Sequence, residues 1–99
     1  MTRIEFERSG GIVGQPLQYS VDLNDLSEET AQHLQTLIEE SNFFDIPENL
    51  NATSTPDEFQ YLVSVHDEGR SHTVRASDTT MPRALIPLVK ELTMLKMIG

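Results

Sequence analysis

The chain contains no cysteine and no tryptophan, sets only 7 Lys and Arg against 16 Asp and Glu, and has no long apolar run. Each shortage excludes something. Without thiols there is no disulfide framework, no thiolate metal centre and no cysteine nucleophile, so a reducing compartment suits the chain and a cytoplasmic location is expected. The formal net charge of −9 repels nucleic-acid backbones and anionic membranes and favours a protein partner with a basic or metal-bearing surface; the same surplus also serves solubility alone. The segment Met1-Thr2-Arg3-Ile4-Glu5-Phe6-Glu7-Arg8 alternates polar and apolar residues and lacks the apolar block of a signal peptide. No stretch approaches the ~18 apolar residues of a membrane span.

What is present is enough for one core. A chain of 99 residues, 37% hydrophobic, closes a single domain over 1–99 without metal or disulfide staples. Ile4 and Phe6 alternate with charged residues, and Leu17, Tyr19 and Val21 alternate with Gln18, Ser20 and Asp22, which predicts two half-buried strands. Between them, residues 9–16 carry three glycines and read as an exposed loop with unusual backbone angles. Ser27 followed by Glu28 and Glu29 is a helix start, with Leu26 positioned to staple against Ala31. Ala31, Leu34, Leu37 and Ile38 give that helix its apolar face, and it is expected to end near Ser41 or Asn42, where Phe43 and Phe44 anchor its exit.

Residues 48–57 read as a surface connection. Phe59, Tyr61, Val63 and Val65 then alternate strictly as a third strand, and Gly69 suits the left-handed position of a short hairpin turn leading into a fourth strand over 71–76. Leu85, Leu88, Val89, Leu92 and Leu95 recur at helical spacing, and Pro87, tolerated in a first turn, places the regular helix from about Ile86. Two hairpins, each followed by a helix, predict an α+β fold, ββαββα, with a four-stranded antiparallel sheet and both helices on one face. The other face of the sheet is expected to be polar, with Leu62 as its exception, and Phe43, Phe44, Phe59 and Tyr61 are expected in the core.

Tests for chemistry return little. Ser9 beside Gly10 and Gly11 lacks the strand-to-helix frame of a nucleophile elbow, and no lysine or helix follows the glycines as a phosphate loop requires. His66 and His72 flank the second turn, but no supporting pattern makes them a metal site, and His33 reads as an exposed helix residue. No catalytic, metal or cofactor residue is assigned, and the residues alone describe an acidic interaction module. Its partner is another protein, a nucleic-acid mimic being one form such a module takes.

Arg8-Ser9-Gly10-Gly11 after the first strand, Phe43-Phe44, Asp57-x-Phe59-x-Tyr61 and His72-Thr73-Val74, in that order and spacing, resemble the emfourins. These are proteinaceous inhibitors of protealysin and other thermolysin-like zinc metallopeptidases. The resemblance covers nearly the whole chain, and Ile12 stands where a phenylalanine or another large residue is expected. It implies a non-enzymatic, monomeric inhibitor without cofactor, whose partner is a thermolysin-like metallopeptidase. The contact residues it implies are Arg8, Ser9, Gly10, Gly11, Ile12 and Val13, entering the enzyme's cleft.

Overall fold

A computed structural model describes residues 2–10, 16–50 and 58–98, with side chains as far as 95. Strands β1 (Thr2–Gly10) and β2 (Leu17–Asp22) precede helix α1 (Glu28–Glu40); β3 (Phe59–Asp67) and β4 (Arg70–Ser77) precede helix α2 (Ile86–Ile98). The sheet order is β2-β1-β3-β4, with every neighbouring pair antiparallel. Because β2 and β3 are both antiparallel to the strand between them, they run parallel to each other. A tight turn cannot join parallel strands, and α1 forms the crossover.

Side-chain alternation decides which face is covered. Ile4 and Phe6 on β1, Val63 and Val65 on β3, and Val74 and Ala76 on β4 are all buried, and all but Ala76 meet Leu34 and Ile38 of α1 and Leu88, Val89 and Leu92 of α2 in one core. The opposite face carries Glu5, Glu7, Gln18, Gln60, Leu62 and Arg75, as the polar–apolar pattern predicts. At its centre Ser64 and Thr73 join hydroxyls at 2.7 Å. Tyr19 crosses from β2 to donate its hydroxyl to the Leu92 carbonyl, fastening the sheet edge to α2.

Local chemistry sets the element ends. Ser27 Oγ accepts the Thr30 N–H at 3.2 Å, capping α1. Asn42 takes a left-handed φ of 52° just past the helix, a position asparagine tolerates. Glu68 and Gly69, with φ of 46° and 83°, form the two-residue turn between β3 and β4, whose twist matches the strands it joins. A short 3₁₀ turn over Arg83–Leu85 leads into α2.

Three expectations change. Ser9 and Gly10 belong to β1, because backbone pairing with Gln60 and Phe59 continues after the apolar alternation has ended. Residues 48–50 are tied to the sheet: Arg75 N donates to Glu48 O and Leu50 N to Arg75 O, each at 2.8 Å. Only 51–57 of that predicted connection lies outside the described residues. Finally, Phe43 is buried, whereas Phe44 is half-buried beneath the Arg70 guanidinium, 3.8 Å from its ring centre.

Candidate partner-binding site

The expected contact residues Arg8, Ser9 and Gly10 form the last three rungs between β1 and β3, paired with Tyr61, Gln60 and Phe59. Strand alternation sends their side chains to opposite faces. Arg8 lies on the helix side of the sheet, whereas Ser9 faces the open side, where with Glu7, Gln60, Leu62 and Arg75 it borders a shallow depression of about 310 Å³. Gly11, Ile12 and Val13 fall outside the described residues.

Gly10 is constrained twice. Its φ is +86°, and a Cβ built on it would lie 2.8 Å from the Glu58 carbonyl oxygen. Glycine is therefore demanded both by the backbone conformation and by the closeness of the neighbouring chain.

Arg8 stacks on Phe59, its guanidinium carbon 4.6 Å from the ring centre; a carboxylate partner on the sheet, the other arrangement open to a strand arginine, is not what it adopts. Phe59 is half-buried and stands apart from the core cluster, whereas Tyr61 packs against that cluster. The expectation that Phe59 is a core residue is corrected: at the start of β3, beyond Tyr61, Val63 and Val65, it is half-buried outside the core cluster, with its ring 6.4 Å from that of Tyr61.

This end of the sheet is clamped by the turn after β4. Asp78 Oδ2 accepts the Phe59 N–H at 3.1 Å, and the Asp78 N–H returns to Phe59 O at 3.2 Å. Glu58 Oε1 accepts the Thr79 N–H at 2.9 Å. Burial, then hydrogen bonding toward Asp78 and the Asp78 charge, push the Tyr61 phenol up to about 12, with Arg8 pulling the other way. Sequence reasoning missed Asp78 and Glu58 because they sit in polar turn segments with no periodicity. Their one legible signal is the run Ser77-Asp78-Thr79-Thr80, whose side chains characteristically accept backbone N–H groups.

The histidines do not converge. His66 is on the open face near Glu5, at 3.5 Å, whereas His72, paired with Val65, is on the helix side with Nε2 2.6 Å from Ile46 O. His33 reaches toward Glu91 at 3.7 Å. Among the described residues no group of three potential ligands could hold a metal ion.

The family model for Emfourin matches residues 6–93, a span running from β1 to the third turn of α2. The chain belongs to the emfourin family. Among solved structures it is similar to emfourin (M4in) from Serratia proteamaculans, described as an M4 family peptidase inhibitor, at 21% identity over 91% of this chain and 87% of that chain, with a TM-score of 0.51. At that identity the likeness speaks for the emfourin fold. No curated protein matches. The family match begins at Phe6, so Arg8, Ser9 and Gly10 lie within the emfourin domain together with the Phe59–Tyr61 and Asp78 bracket.

Proposed function

We propose that this emfourin-family chain is a proteinaceous inhibitor of thermolysin-like zinc metallopeptidases, of the protealysin type, and that it binds at the active-site cleft through residues 8–13. The observation that carries the reading is the family match over residues 6–93. The geometry supports it in a second way. Gly10 departs from a rigid ladder at a point where a side chain would collide with Glu58, so the following residues are presented from a fixed base, and such preorganisation lowers the entropy cost of binding. Ile12 or Val13 then fills the hydrophobic pocket that these enzymes offer to substrate side chains.

The test is a titration of the chain into a purified thermolysin-like peptidase, following cleavage of a peptide substrate with the zinc left in place. Stoichiometric loss of activity is the expected result, and undiminished activity at large excess would leave the family fold with another partner. Ile12→Ala should then weaken inhibition by about 1 kcal/mol or more. The control belongs on the exposed face of α1. Gln35 does not serve, since its Oε1 lies 3.3 Å from Thr2 Oγ1, whereas Gln32 is exposed and Gln32→Ala should leave inhibition unchanged.

A further inference from the structure

Among the described residues Phe59 is a large aromatic side chain outside the core cluster, its ring 6.4 Å from that of Tyr61. Its neighbours Tyr61, Val63 and Val65 join or pack against the core cluster, while Phe59 remains half-buried at the margin. Burying such a ring elsewhere would release substantial free energy, yet its backbone is held at the margin from both sides. Its N–H and its carbonyl are both bonded to Asp78, and the preceding residue is fastened to Thr79. That bracket fixes the ring's location before any partner arrives.

Arg8 completes the patch. In a chain with 16 acidic residues, this guanidinium lies over Phe59, its carbon 4.6 Å from the ring centre. Among the described residues it forms no ion pair, the closest such arrangement on β1 being Arg3 with Glu5 at 3.0 Å. A guanidinium held over a ring keeps its planar N–H fork, the group that grips a carboxylate through two parallel bonds. Arginine and aromatic residues side by side are also the types that dominate binding energy at protein contacts.

We propose that Phe59 extends the peptidase contact beyond residues 8–13 by forming one anchor with Arg8, the guanidinium taking a carboxylate of the enzyme and the ring an adjacent apolar side chain. This rests on the inhibitor reading and extends it to residues of β3, on the far side of the Gly10–Phe59 rung from the glycine segment. One enzyme surface spans both, because Gly10 and Phe59 are cross-strand partners. The specificity that follows is local: a chain of net charge −9 meets a carboxylate favourably only beside a cation such as Arg8.

The experiment compares inhibition constants of the full chain, Arg8→Lys, Phe59→Leu and the double variant against one thermolysin-like peptidase, with thermal unfolding of each as a check on folding. Arg8→Lys keeps the charge and loses the fork; each single change should weaken inhibition roughly tenfold, and the double variant by less than the product, since the pair acts as a unit. Oxidative footprinting of the unmodified chain, which needs no variant to fold, should show Phe59 protected in the complex. Potent inhibition by the unmodified chain together with unchanged constants for both variants, or with Phe59 labelled equally with and without enzyme, overturns the Arg8–Phe59 anchor and leaves the inhibitor reading standing. Failure of the unmodified chain to inhibit or bind removes the inhibitor reading, and the anchor falls with it.

Discussion

At Gly10 two independent demands meet, a left-handed φ of +86° and a neighbour 2.8 Å from where a Cβ would stand. Gly10→Ala should therefore cost about 1–3 kcal/mol in urea unfolding and also weaken inhibition, because the base of the contact segment shifts. Tyrosines give a pH prediction with a definite sign. Burial, ahead of the charge of Glu91, raises the Tyr19 phenol from 10.0 to about 12, and burial followed by Asp78 does the same for Tyr61. A folded-state pKa above the unfolded value means stability fully present below pH 10 and lost as pH climbs through about 12. The thermal midpoint should hold steady toward pH 10 and then fall, with phenolate absorbance growing in step; Tyr61→Phe should flatten part of that decline.

Among the elements, periodicity made most of the fold legible. Ile4 and Phe6, then Phe59 to Val65, alternate because one face of the sheet is covered and the other wet, and Leu85 to Leu95 repeat at helical spacing because α2 buries one side. Periodicity carries no information where the side chains have no apolar choice to make. Ser9 and Gly10 extend β1, and 48–50 pair beside Arg75, through backbone groups alone. Phe59 shows the opposite limit: it keeps the alternation of a core strand while standing outside the core cluster. Of the candidate site, Gly10 was readable as a special backbone position, whereas its Asp78 and Glu58 support depends on contacts 19 and 21 residues apart. Capping is a local signal and is testable locally. Ser27→Ala removes the acceptor for Thr30 N–H and should lower stability by about 1 kcal/mol in denaturant unfolding, with inhibition untouched because Ser27 follows the Asp22 end of β2, which pairs with Arg3 at the other end of β1 from residues 8–10.

For the molecule as a whole, one core holds both helices to one face, and Leu92 is central to it, fully buried and accepting the Tyr19 hydroxyl through its carbonyl. Leu92→Ala should cost about 2–5 kcal/mol by leaving a cavity, measured as a drop in the unfolding midpoint. The surviving folded fraction should still inhibit, since stability and contact lie in different regions. That separation has a practical side at the Gly10–Phe59 rung. Gly10 closes β1 and Phe59 opens β3 on that shared rung, while every buried strand residue lies further along the ladder. Loop closure grows costlier only by about 0.6 kcal/mol for each doubling of length. The rung is therefore a grafting point: recognition sequences of other lengths can be joined to residues 10 and 59 to redirect the molecule to a new enzyme, with the sheet and helices left as a reusable frame.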